Sequence, residues 1–206
     1  MSEKKVRIAV LVSGGGTNLQ ALIDAQNSGT LKSGRIELVI SSNPNAYALQ
    51  RAEAAGIPGF SVSKNELGSR EAAEEKMVSY LEEYRIDIIV LAGFLSILSE
   101  DFTKRYDHRI INIHPSLIPS FCGAGYYGLR VHEAALERGV KVTGATVHFV
   151  NEIPDGGEII MQKAVEILDG DTPETLQRRV MEQAEWIILP ESVEKTCTIL
   201  LEGDKS

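Results

Sequence analysis

Long apolar runs are missing from this 206-residue chain, and none of its stretches is long enough to cross a bilayer. The nearest thing to a leader is Lys4-Lys5 followed by residues 6–12. That run is short, Arg7 interrupts it, and Ser13-Gly14-Gly15-Gly16 offers no cleavage site, so it reads as a first buried strand. Cysteine is scarce. Cys122 and Cys197 are the only two, too far apart in sequence for a disulfide framework or a zinc spacing, which points to a reducing, cytoplasmic compartment. Cationic excess is also lacking: Lys and Arg number 21 against 29 Asp and Glu, a formal net charge of −8. Such a balance argues against a nucleic-acid partner but leaves room for a local anion pocket. The four histidines, His108, His114, His132 and His148, do not have the short spacing of a zinc site, so no metal is expected. Repeats and low-complexity linkers are absent, and 206 residues suit a single domain spanning 1–206.

What is present is an alternation of strand and helix patterns. Strands are predicted at residues 6–12, 36–41, 60–62, 87–92, 109–114, 140–150 and 159–167. Helices are predicted at residues 17–26, 46–55, 69–84 (capped by Ser69), 100–106 and 129–138 (stopped by Gly139). A last helix opens at Thr172-Pro173-Glu174 and runs to Leu189, where Pro190 should bend or restart it. Residues 202–206 should fray. Repeated strand–helix units predict an α/β fold with a doubly wound, mainly parallel sheet, an antiparallel strand region towards the C-terminus and a long C-terminal helix.

Four segments carry chemistry. In Asn112-Ile113-His114-Pro115, residues two apart on a strand share a face, so Asn112 and His114 project together about 6.6 Å apart. Pro115 then ends the strand where the amide and the imidazole emerge. Ser13-Gly14-Gly15-Gly16-Thr17-Asn18 joins a strand to a helix whose free N–H groups favour an anion. It lacks the Lys of one nucleotide-binding loop, and Leu19 stands where the other needs a third Gly, so a small phosphate fits better than a dinucleotide. Gly93 to Leu98 reads either as an ordinary turn with buried leucines or as an apolar slot for a flat ring. In Thr143 to Gly157, Thr146 and His148 share a strand face, Asp155 sits before Gly156-Gly157, and His148 reads better as a packed core histidine than as a catalytic group. In a parallel sheet the ends of the first, fourth and fifth strands share one rim, so the first three segments should form one crevice.

Residues 13–21, Leu91-Ala92-Gly93-Phe94, Asn112-Ile113-His114-Pro115-Ser116-Leu117 and Asp155-Gly156-Gly157 together resemble the folate-dependent formyltransferase family, in its phosphoribosylglycinamide formyltransferase branch. The resemblance implies a Rossmann-like formyltransferase fold. It also implies transfer of formyl from 10-formyltetrahydrofolate, as cosubstrate, to the amine of glycinamide ribonucleotide in purine biosynthesis. By similarity Asn112, His114 and Asp155 are the catalytic three. A protonated His114, kept charged by Asp155, would stabilise the oxyanion together with Asn112. Gly15, Gly16, Thr17 and Asn18 would hold the substrate phosphate. Arg70, Leu95, Ser96, Ile97, Leu98 and Asn112 would contact the folate. No metal, nucleic acid or membrane is implied, and the protein would be a monomer or a homodimer.

The chain departs from the family pattern in three places. Ser96 stands where Arg is frequent, the loop Ser120 to Gly128 is longer than usual, and the frequent Glu-His pair of the last helix appears as Ala184-Glu185. Glu182 or Glu185 would have to take over the missing glutamate's contact. Methionyl-tRNA formyltransferase would require an added cationic C-terminal domain, and formyltetrahydrofolate hydrolase an N-terminal regulatory one. A non-catalytic sugar-phosphate sensor is the rival from another class, but it has no use for Asn112, His114 and Asp155 together.

Overall fold

The computed structural model describes residues 4–203. Its strands are β1 (Val6–Val12), β2 (Gly34–Ser41), β3 (Gly59–Ser61), β4 (Ile88–Leu91), β5 (Ile110–His114), β6 (Val142–Phe149) and β7 (Ile159–Glu166). They form one sheet in the order β3-β2-β1-β4-β5-β6-β7. β3 to β5 pair in parallel across β2, β1 and β4, while β6 and β7 run antiparallel. The chain order reverses direction between β1 and β4, the place where an open α/β sheet leaves a crevice at its carboxyl edge. The predicted fold class is the observed one.

β1 shows why both faces are covered. Val6, Ile8, Val10 and Val12 enter one core cluster, and Ala9 and Leu11 the other, as strand alternation requires. The first cluster packs under α1 (Thr17–Ser28), α2 (Tyr47–Ala54), α7 (Pro173–Val180) and α8 (Trp186–Gly203). The second packs under α4 (Arg70–Glu83) and α5 (Glu100–Arg105). Each fully buried Leu or Ile stabilises the fold by about 1.5–3 kcal/mol relative to exposure. Ser69 caps α4 as predicted, its hydroxyl accepting from the Ala72 N–H at 3.0 Å.

Several boundaries differ from the sequence-based expectation. A short helix, α3 (Lys64–Leu67), precedes α4, where four polar and mixed residues carry no periodicity to reveal it. α6 (Leu129–Arg138) and its Gly139 stop stand where predicted. The last helix does not break at Pro190. It widens into a π turn over Met181–Glu185, and Pro190 lies inside α8. Pro190 carries no N–H for the preceding turn, so one intrahelical bond is missing there. Glu202 and Gly203 are helical, not frayed; residues 204–206 of that predicted tail lie outside the described residues.

Candidate active site

The rim formed by β1, β4 and β5 opens into a cleft of about 410 Å³ lined by Thr17, Asn18, Gly93 to Ile97, Asn112, His114 and Asp155. The three segments expected to share a crevice do share it. Leu95 and Ile97 are not buried: they are 63% and 67% exposed and stand at its lip, which overturns the plain-turn reading of that segment. Ser96, Ile97 and Leu98 also line a second cavity of about 130 Å³ behind Asn112, and a third of about 400 Å³ that reaches Arg70 and Lys64. Each of the six residues expected to contact folate lines at least one of these three cavities, which share Phe94, Ser96 and Ile97. Lys64 is an added cation there, unrecognised in the sequence because it sits on the unpredicted α3.

Asn112, His114 and Asp155 converge. His114 Nδ1 lies 3.5 Å from Asp155 Oδ2, and Asn112 Nδ2 lies 3.5 Å from Asp155 Oδ1. Asp155 itself has a positive φ of 56°, and it receives the Gly123 N–H at 2.8 Å. The glycines that follow are required for this approach. A Cβ on Gly157 would fall 1.8 Å from the Phe149 carbonyl oxygen, and one on Gly156 would fall 2.7 Å from Ile153. Asp-Gly-Gly is therefore a turn whose tightness aims a carboxylate.

His148 is packed in the core, as expected, and it also borders the same cluster. It is 1% exposed, yet β5 and β6 pair Asn112 with His148 and His114 with Thr146. Its Nδ1–H donates to the Phe149 carbonyl at 2.7 Å. Nε2 is thereby left facing Asn112 Nδ2 at 3.1 Å and Asp155 Oδ1 at 3.6 Å. Thr146 works on the neighbouring segment: its hydroxyl donates to the Ser116 carbonyl at 2.7 Å and accepts from the Ile118 N–H at 3.1 Å, pinning the chain just after His114. The alternation Thr146-x-His148 mirrors Asn112-x-His114, and that mirror was the available signal. The pairing register that joins them is not written in either segment.

The charge state of His114 also differs from expectation. Burial disfavours the imidazolium and outweighs the pull of Asp155 and the Phe121 carbonyl, so its pKa lies below the ordinary histidine value. His114 is neutral at neutral pH, with Nε2–H donating to the Phe121 carbonyl at 2.9 Å. Asp155 balances the other way. Burial raises its pKa, but the His148 contact, the charge of His114 and the Gly123 N–H together hold it below the usual carboxylate range. Behind His114, His132 on α6 is fully buried and its ring nitrogens have no hydrogen-bond partner among the described residues; burial takes its pKa down to about 4.

At the other end of the cleft, Gly16 adopts φ 73° and its peptide starts α1. Asn18 Nδ2 donates to Glu185 Oε2 at 2.6 Å, and burial pushes the Glu185 carboxyl up to about 7. The π turn thus brings Glu185 to Asn18 at the start of α1. Glu182 instead pairs with Arg178 at 3.6 Å and is not on the cleft lining, whereas Glu185 is. Among the described residues no cluster of three or more His, Cys, Asp or Glu side chains is placed to hold a metal ion.

A sequence model of the formyl transferase family matches residues 6–193. The chain belongs to the formyl transferase family. Its family relatives include the phosphoribosylglycinamide formyltransferase of Haemophilus influenzae, 42% identical over 89% of this chain and 84% of that protein. The chicken trifunctional purine biosynthetic protein adenosine-3 is 47% identical over 86% of this chain, but the chain spans only 17% of that much longer relative. Among solved family structures, glycinamide ribonucleotide transformylase 1 from Symbiobacterium toebii superposes with a TM-score of 0.87 at 41% identity, covering 94% of this chain and 88% of that one.

Proposed function

We propose that this formyltransferase moves the formyl group of 10-formyltetrahydrofolate to the amine of glycinamide ribonucleotide, with Asn112, His114 and Asp155 as its catalytic residues. The observation that carries this reading is their convergence on one carboxylate in a cleft that Thr17 and Asn18, at the end of the glycine loop, also line. The names of the long-coverage relatives support the same substrates. The two free thiols fit a reducing, cytoplasmic setting.

In this reading the substrate amine attacks the formyl carbon, a C–N bond forms, and the carbonyl electrons move to oxygen. Asn112 supplies a donor to that oxyanion. One hydrogen of its amide goes to His148; the other, 3.5 Å from Asp155, is held loosely and is free to turn to the substrate. His114 starts neutral, so its Nδ1 lone pair takes the amine proton, and the imidazolium then formed lies beside Asp155. The proton passes on to the folate nitrogen as its bond to the formyl carbon breaks. Leu95, Ile97 and Leu98 flank the pterin, Arg70 and Lys64 face the carboxylates of the folate tail, and Glu185 accepts a ribose hydroxyl.

A direct test is a spectrophotometric assay of purified protein with glycinamide ribonucleotide and the formyl-folate donor. Release of tetrahydrofolate that depends on the ribonucleotide is expected; none would leave only the sugar-phosphate sensor. Glu185 gives a second test. Its carboxyl holds a proton in the folded chain up to about pH 7, whereas an ordinary one of pKa 4.5 has lost it. Stability is therefore largest below about pH 4.5, falls as pH rises to about 7 and is level above. Glu185→Gln removes this cost of about 3 kcal/mol. It should raise the melting temperature at pH 8 by several degrees, leave it unchanged near pH 4.5, and raise KM for the ribonucleotide. Equal melting temperatures at pH 8 would contradict the buried charge.

A further inference from the structure

A phosphate dianion held in the cleft described above would meet no Lys or Arg on its lining, while Asp155 and Glu185 are both there. The cation that serves it comes from behind the loop. Arg51, on α2, donates from Nε to the Gly15 carbonyl at 2.8 Å and from Nη1 to Gln20 Oε1 at 2.9 Å. It makes no ion pair among the described residues, and its guanidinium lies 5.1 Å from the Tyr47 ring centre. Gln20 in turn donates to Asp24 at 2.9 Å, so this carboxylate reaches Arg51 only through Gln20.

The neighbouring carbonyls are held from the same side. The Ala48 N–H, unsatisfied at the start of α2, donates to the Gly14 carbonyl at 3.1 Å, and Asn43 Nδ2 donates to that of Ser13 at 3.4 Å. In a planar trans peptide the C=O and the next N–H point in opposite directions. With the carbonyls of Ser13, Gly14 and Gly15 turned towards α2 and its approach, the N–H groups of Gly14, Gly15 and Gly16 point away from it. None of the three has an acceptor among the described residues. The packing is close: a Cβ on Gly16 would fall 2.7 Å from Ala48 Cβ and 3.4 Å from Arg51 Cδ.

We propose that Arg51 is a positioning residue for the substrate phosphate: it and the start of α2 hold the loop carbonyls outward, so that three N–H groups face the dianion with a cation behind them. This rests on the phosphate-loop reading above. Arg51 acts through the loop and does not touch the substrate. Lysine would keep the charge but not the fixed fork that spans loop and Gln20.

The test compares Arg51→Met and Arg51→Lys with the native enzyme. Arg51→Met should raise KM for glycinamide ribonucleotide about tenfold, the worth of one charge-assisted hydrogen bond. Its kcat and its KM for the folate should stay within about twofold of native, and Arg51→Lys should recover part of the loss. With glycinamide riboside, which lacks the phosphate, native and Arg51→Met should have equal kcat/KM. An unchanged ribonucleotide KM, or an equal loss of kcat/KM on riboside and ribonucleotide, would overturn the proposal. Calorimetry with inorganic phosphate separates it from the assigned reaction: even if no formyl transfer occurs, the native protein should bind phosphate about tenfold more tightly than Arg51→Met. Equal affinity would overturn it.

Discussion

Asp155→Asn is expected to lower kcat at least about 100-fold, with both KM values changed far less, as removal of a group that acts on proton transfer does. The substitution keeps size and the acceptor for the Gly123 N–H, so the loop stays where it is. What it removes is the negative charge 3.5 Å from His114 Nδ1 and 3.6 Å from His148 Nε2. His114 is already disfavoured as a cation by burial. Without the carboxylate only the Phe121 carbonyl still favours the imidazolium formed as the amine loses its proton, and the barrier rises. Steady-state kinetics with saturating formyl-folate measures this, and a melting curve confirms that the variant is folded. Turnover within tenfold of native would take Asp155 out of the proton path.

The sequence showed more of this site than of the elements that carry it. Asn112 and His114 were legible because strand periodicity and the following proline are local signals. The place of the glycine loop was legible because a strand end joined by glycines to a helix start is a local signal. His148 was legible as a packed histidine but not as a neighbour of Asn112: that contact depends on an antiparallel register, and a register between segments 36 residues apart has no local signature. The π turn was missed for a related reason. Its residues, Met181–Glu185, are ordinary helix formers, and the widening shows only in how Glu185 meets Asn18 from across the chain. Arg51 gave no sign at all. It lies on an exposed-looking helix, and its meaning comes from a carbonyl 36 residues earlier. The direction of the His114 pKa shift was not legible either, because pairing with a carboxylate is foreseeable from motif residues while the depth of burial that lowers it is not.

His114→Ala should also cost at least about 100-fold in kcat, and its pH dependence is the sharper result. In the proposed mechanism the neutral imidazole is the competent form. Its pKa lies below the ordinary value of about 6.5, so activity should persist down to pH values at which a free histidine is already charged, and then fall. A second and separate acid limb near pH 7 belongs to Glu185 and appears in kcat/KM for the ribonucleotide. Glu185→Gln should erase the limb near 7 and keep the lower one. His114→Ala should erase the lower one in its residual activity and keep the one near 7. His148→Ala, which acts through Asn112 and not on the proton, should lower kcat by only about tenfold and move neither limb. Were the lower limb to survive in His114→Ala, the proton acceptor would be another group. His132, buried behind it and neutral above about pH 4, would be excluded by that same pKa unless the surviving limb fell near 4.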